Sequence, residues 1–211
     1  MLERILSGQS ADDCTHEVDS TDIVDSVADS VLFNHDRIYQ HNVLHVNYTS
    51  YDVRRSQDVI NPITSHRNIM MLPDSSVDDS CLDSPFCYAR VLGIYHANVV
   101  YTGPGMVRYQ PRRMEFLWVR WYHQIDVMKT RWKSRRLDRA KFPPMSAAGA
   151  FGFVDLNDIL RDCHIIPVFH KGLRHVDGNG LSRCAQDSSD WIEYYINRYY
   201  ILFIVPFSKL M

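Results

Sequence analysis

The sequence predicts a mainly β fold: a small, partly closed barrel or bent antiparallel sheet carrying one or two short helices. Three observations lead there. Six or so short runs are rich in β-branched and aromatic residues, and each is bounded by Gly, Pro, Asn, Asp or Ser. Helical periodicity does not alternate with these runs, as a parallel βαβ sheet would require. One run, Met114-Glu-Phe-Leu-Trp-Val-Arg-Trp-Tyr122, is the clearest strand of the series.

Taken in order, residues 1–44 form an Asp- and Ser-rich arm expected to be mostly flexible, with a weak amphipathic helix as the alternative over Thr21–Phe33. A β-rich domain is expected over residues 45–200. It begins with the alternating run His45–Tyr51, followed by a charge-dense stretch, Tyr51–Asp58. There Asp52 and Asp58 are expected to pair with Arg54 and Arg55 ahead of an Asn61-Pro62 turn. A short strand covers Asn68–Leu72. Phe86–Tyr101 reads as a long strand bent or bulged at Gly93, and Thr102-Gly-Pro-Gly105 as a turn. Met114–Tyr122 follows. Leu117, Val119 and Trp121 share one of its faces, and Phe116, Trp118, Arg120 and Tyr122 the other. Large apolar groups on both faces predict a central strand covered on both sides. His123–Gly149 reads as a basic loop and Phe151–Val154 as a strand. Asp155–Leu160 reads as one helical turn with Asp155 as its N-cap. Cys163–Phe169 is an edge strand or strand end because of Pro167. Lys171–Asp190 is a loop and Trp191–Tyr200 a final strand. Residues 201–211 form an apolar tail.

The chain is 211 residues long, 45% hydrophobic and 12% aromatic, enough for one core. Its net charge of −2 hides a separation of sign. Nine acids and one base fall within Met1–Asp36, against eleven bases and three acids within Arg108–Lys141. The odd, scattered set Cys14, Cys81, Cys87, Cys163 and Cys184, with no export signal at the start, predicts reduced thiols in an intracellular protein, nuclear or cytoplasmic. The longest apolar run, Tyr199–Phe207, is too short for a membrane helix, which needs about 20 residues.

Few residues suggest chemistry. The basic segment offers Arg112, Arg113, Lys129, Arg131, Lys133, Arg135 and Arg136, with Trp132 interleaved. Such clustering suits phosphate neutralisation and sequence-tolerant nucleic-acid binding; the simpler alternative is a solvated loop held by the acidic arm. Tyr95, Trp118 and Tyr122 are candidates for an aromatic cage around a cationic ligand such as a methylated lysine, with core packing as the simpler alternative. Cys81-x5-Cys87 is too widely spaced for a zinc knuckle. Cys163 and His164 point to opposite faces if extended, so no metal or cofactor is expected. Phosphate-loop, dinucleotide, nucleophile-elbow and zinc-protease motifs do not occur, so no catalytic residues are assigned and no small-molecule substrate is evident.

Read as an ordered series, several segments resemble a known family. They are Tyr48–Pro62, Tyr88-Ala-Arg-Val-Leu-Gly-Ile-Tyr95, Phe116-Leu-Trp-Val-Arg-Trp121, Phe151–Leu156, Cys163–Pro167 and Tyr194-Tyr-Ile-Asn-Arg198. The family is one of uncharacterised fungal proteins that occur beside, or fused to, transposase-like genes. The series is also similar to the C-terminal domain of plant CACTA-type transposon proteins and, more remotely, to bromo-adjacent homology (BAH) domains. Arg90–Ile94 and Val119–Tyr122 stand where the BAH-like barrel pattern would place them. The resemblance implies a non-enzymatic, nuclear interaction module that binds chromatin protein or nucleic acid. Alternatively, it implies a structural remnant or accessory segment of a transposase without activity of its own. It maps no binding residue onto this chain, and the apolar ending departs from the charged segment that usually follows in the family.

Overall fold

A computed structural model describes residues 30–49, 55–73, 86–103, 109–125 and 137–197. It is mainly β, with no helix of seven residues or more among the described residues, and its antiparallel sheet curls into a half-barrel. Eleven strands are present among the described residues: β1 Val31–His41, β2 Leu44–Thr49, β3 Arg55–Ile60, β4 Asn68–Met71, β5 Cys87–Tyr101, β6 Arg112–Ile125, β7 Asp138–Lys141, β8 Phe151–Asp155, β9 Ile159–Asp162, β10 Ile165–Pro167 and β11 Tyr194–Ile196. Among the described residues, two 3-10 turns, Leu156–Asp158 and Phe169–Lys171, are the helical elements. No described helix is long and apolar enough to cross a membrane.

The chain forms two compact units. One comprises His41–Ile94 and Leu117–Met211, the other Met1–Gln40 and Tyr95–Phe116, so β5 and β6 run through both. The boundary in β5 falls just after Gly93, where the sequence predicts a bend.

In the larger unit the strands are ordered β10-β11-β7-β6-β5-β4-β9, and β8 also pairs with β6. The two outer strands are consecutive in sequence, joined only by Cys163-His164. Seven flat strands would hold these edges roughly 29 Å apart at the usual interstrand spacing. The three-residue step from Asp162 to Ile165 can reach only about 11 Å. The sheet must therefore curl until its edges approach. A register shift between Met70 and Met71, where β4 meets β9, marks a local irregularity of the kind that raises strand twist. Pro167 ends the edge strand β10, where a missing N–H costs no ladder bond.

Strand alternation builds an apolar core on each face. Ile69 and Met71 of β4, Ala89 and Val91 of β5, and Leu117 and Val119 of β6 join Ile60, Val154 and Ile159 in one core. The intervening residues Met70, Tyr88 and Tyr122 join Ala140, Phe142, Cys163, Tyr194 and Ile196 in the other. β6 thus lies between β5 and β7 with both faces covered. Trp121 packs beside the first core, and Gly152 is required next to it: a Cβ there would sit 2.6 Å from the Trp121 indole nitrogen. A separate β2–β3 hairpin pairs Leu44 with Ile60 through Thr49 with Arg55, and Leu44 and Val46 rest on the first core. Arg161 of β9 grips this hairpin. It donates to both Asp58 oxygens at 2.5 and 3.0 Å, and its guanidinium lies 3.4 Å from the Tyr48 ring centre.

In the smaller unit β1 pairs with β5. Tyr39 stacks on His96 with ring centres 4.7 Å apart, and Thr102 donates its backbone N–H and its hydroxyl to the Ser30 carbonyl at 2.7 and 3.0 Å. His35 and Asp36 take positive φ values of 60° and 49°, a left-handed break in β1 that these residue types tolerate better than most.

Several sequence expectations need correction. β1 lies inside the stretch read as an arm, and residues 31–33 are strand, not helix. Residues 55–58 of the charge-dense stretch lie in strand β3, where Asp58 meets the distant Arg161; Asp52 and Arg54 lie outside the described residues. The basic stretch contains β7, and the residues after the Leu156–Asp158 turn are strand β9. The last strand begins at Tyr194, not Trp191. The Asp155 cap is present: its carboxylate accepts from Asn157 N at 2.8 Å. The tail at 201–211 lies outside the described residues.

Leu117 is fully buried in the first core. Leu117→Ala is expected to cost about 2–5 kcal/mol in urea unfolding, since a buried leucine leaves a cavity when truncated. A loss below about 1 kcal/mol would place Leu117 outside a packed core.

Candidate functional site

Residues 168–193, between β10 and β11, form the longest described connection, and loops of this length in compact domains usually either carry function or lack order. Two buried aspartates hold it in place. Asp190, 0% exposed, receives Arg90 Nη1 at 2.5 Å on one oxygen and Arg120 Nη1 at 2.6 Å on the other. Tyr194 also donates its hydroxyl to Asp190 at 3.2 Å, and the same hydroxyl accepts from the Trp191 backbone at 2.8 Å. Arg90 is on β5 and Arg120 on β6, so one carboxylate ties the end of the loop to the middle of the sheet.

Two guanidiniums face one carboxylate, leaving an excess of buried positive charge. The Phe142 ring offsets part of it, lying 4.4 Å from the Arg90 guanidinium and 4.0 Å from that of Arg120. Arg90 Nε, Arg120 Nε and Arg120 Nη2 meet no hydrogen-bond acceptor among the described residues. Arg67 approaches the same region and donates to Gln186 Oε1 at 2.6 Å; burial, and then the charge of Arg90, lower its pKa. Burial also opposes the charged form of Arg90, but Tyr122 and the Asp190 carboxylate outweigh it and hold Arg90 above the usual arginine range. Burial pushes the Tyr122 and Tyr194 hydroxyls up.

The second anchor is Asp187, 1% exposed, whose oxygens accept from Leu181 N at 2.8 Å and Ser182 N at 3.0 Å. His175 Nε2 lies 3.2 Å from the same carboxylate. Burial works against its ionisation, but the Ser182 and Leu181 amides outweigh it and hold the carboxyl below its ordinary value. The backbone closes the loop further: Arg174 N reaches Asp190 O at 2.8 Å, Ile192 N reaches Gly172 O at 3.2 Å, and Leu173 bridges Trp191. Gly172 adopts φ 84°, a conformation that side-chain-bearing residues rarely take.

These anchors sort the loop's charges. Asp187 and Asp190 turn inward. Glu193 is engaged by Arg139 at 3.1 Å and Lys171 at 3.7 Å. Asp177 is the acid left exposed, folded onto Asn179. Lys171, Arg174, Arg183 and His170 are all exposed. Phe169, Leu173, Val176 and Ile192 stand exposed beside them. A stretch whose formal charge is nearly balanced in sequence thus presents a basic surface with apolar and aromatic groups.

The sequence-based candidates fall elsewhere. Arg112 and Arg113 are exposed at the start of β6, and Arg113 bonds to Glu115 at 2.8 Å. Lys129, Arg131, Lys133, Arg135 and Arg136 lie outside the described residues. Tyr95, Trp118 and Tyr122 each have their own ring partner: Phe116 at 5.7 Å, Phe151 at 6.1 Å and Phe142 at 4.2 Å. Tyr122 is a core residue whose hydroxyl donates to Asn68 Oδ1 at 3.0 Å. Burial, and then Asp162, push the Cys163 thiol up, away from the thiolate that nucleophilic or metal chemistry requires. Among the described residues no three His, Cys, Asp or Glu side chains are grouped to hold a metal ion. The sequence did carry one signal for the anchor: Arg90 and Arg120 sit in runs apolar on both faces, and a buried guanidinium needs a buried acid.

No protein-family profile, curated protein or solved structure matches the chain.

Asp190→Asn is expected to destabilise the fold by about 3–5 kcal/mol in denaturant titration, because it leaves two buried guanidiniums without a countercharge. A change under about 1 kcal/mol would make the cluster incidental to stability. Asp187 also predicts a pH dependence. Its native pKa is depressed, so its contribution is complete above the ordinary carboxylate value of about 3.9 and is lost as the pH falls through the native value. Acidification below pH ~4 should thus destabilise the unaltered chain more steeply than Asp187→Asn. Parallel curves would remove this assignment.

Proposed function

We propose that the chain is a non-enzymatic interaction module that binds nucleic acid through the β10–β11 loop. The observation that carries this reading is the sorting of charge. Three of the loop's four acids, Asp187, Asp190 and Glu193, are buried or paired, whereas Lys171, Arg174 and Arg183 remain outside with Asp177 as the one exposed acid. Mobile counterions around a nucleic acid are released when such groups meet phosphates, which makes binding favourable and salt-sensitive. The second feature is preorganisation. Asp187, Asp190 and the backbone bonds fix the loop before any ligand arrives, so less ordering entropy opposes association.

Binding, not catalysis, is also the role that the resemblance to transposon-associated and BAH proteins implies. Of the two partner classes it suggests, the exposed lysine and arginines favour a polyanion over a cationic histone tail. Arg112 adds positive charge of its own in the smaller unit, where Arg113 is paired with Glu115.

The test is a titration of the full chain with a labelled oligonucleotide over a range of salt. Binding should weaken steeply as salt rises. Charge reversal at Lys171, Arg174 and Arg183 to Glu should weaken it further and flatten the salt dependence, by about 0.7–0.9 in log–log slope for each phosphate that is no longer neutralised. Unchanged affinity and slope in the reversed variant would contradict the assignment of the loop.

A further inference from the structure

We infer that the ligand of the β10–β11 loop is single-stranded nucleic acid, with an unpaired base stacking on Phe169 in front of Trp191; this rests on the reading of the loop as a nucleic-acid surface. Phe169 is 66% exposed, although it is a large apolar ring on an anchored segment. It meets Trp191 edge to face, with ring centres 5.1 Å apart and planes at 83°. That contact uses one edge or one face and leaves ring surface open.

The platform is rigid for a reason visible in its bonding. The Trp191 backbone donates to the Tyr194 hydroxyl at 2.8 Å, and that hydroxyl is bonded to buried Asp190. Phe169 opens the 3-10 turn that closes at Gly172, whose N–H returns to the Phe169 carbonyl at 3.1 Å. The two rings are therefore attached to the sheet through short, bonded segments.

Cationic groups flank the platform. Lys171 is two residues from Phe169 and exposed; its partner Glu193 lies 3.7 Å away, half-buried and held more closely by Arg139, so the Lys171 pair is long and a phosphate can compete for the lysine. Arg174 follows on the same backbone-bonded segment. A cationic backbone contact beside an exposed ring suits a single strand, whose bases present free faces, and not a duplex, whose base faces are stacked inside. An acidic peptide would satisfy the cations but would leave Phe169 without a planar partner.

Fluorescence anisotropy with the full chain separates these cases, using a short labelled oligodeoxynucleotide, its duplex and a poly-glutamate competitor at matched salt. The single strand should bind more tightly than the duplex and than poly-glutamate. Phe169→Ala should weaken single-strand binding roughly 5- to 150-fold, the effect of removing one base–aromatic stack, while leaving duplex binding unchanged. Phe169→Leu keeps an apolar side chain but removes the ring, and should weaken single-strand binding similarly. Equal binding of single strand and duplex, or Phe169 variants that bind like the unaltered chain, would overturn the stacking inference while leaving the basic-loop reading intact. Preferential competition by poly-glutamate, or binding unaffected by reversal of Lys171, Arg174 and Arg183, would overturn both.

Discussion

One buried carboxylate organises the larger unit. Asp190 is bonded to Arg90, 100 residues away in sequence, and to Arg120, 70 residues away. Each arginine is itself buried on a central strand between apolar neighbours, Ala89 and Val91 for Arg90, Val119 and the half-buried Trp121 for Arg120, so neither can reach water without leaving the sheet. A guanidinium in that setting is tolerable only with an anion and a polarisable surface nearby, and Asp190 and the Phe142 ring supply these. The carboxylate also cannot leave without stranding two charges. The constraint is therefore mutual: it fixes where the loop must end and which face of the sheet it covers.

The loop surface follows from that constraint. Fixing Asp190 orients Trp191 through the Tyr194 hydroxyl, and Trp191 in turn meets Phe169 and Leu173. Asp187 performs a second, local anchoring by capturing two amides within the loop itself. With both acids consumed in holding the backbone, the bases are left outside. Stability and binding surface thus arise from the same residues: the groups that hold the loop are those whose removal from the surface makes it basic. The curl of the sheet also follows from connectivity, because Cys163-His164 must join its two outermost strands.

What the sequence made legible was whatever depends on local pattern. The two-faced apolar run around Val119 identified a covered strand, and Asp155 identified a cap, because period and capping need only neighbouring residues. β3 and β7 were missed because charge dominates their composition. In β7 the inward positions are Asp138 and Ala140, a polar and a small residue that give no apolar alternation. The Asp58–Arg161 pair and the Asp190 cluster were illegible as pairs, since nothing local says which distant charge an acid will meet. The loop's basic surface was hidden for the same reason. Its formal charge is close to balanced, and only burial decides which charges count.

The most direct test of Asp190 as the organising group is amide hydrogen exchange, compared between the unaltered chain and Asp190→Asn. The Arg174, Leu181, Ser182 and Ile192 amides are the reporters, because each is bonded only if the loop is closed. In the unaltered chain they should be protected. In the variant they should lose protection together with β11, and to a greater degree than the β2–β3 hairpin, which Arg161 and Asp58 hold independently. Full protection of the loop amides in Asp190→Asn would contradict the account, since it would show that the loop closes without the buried carboxylate.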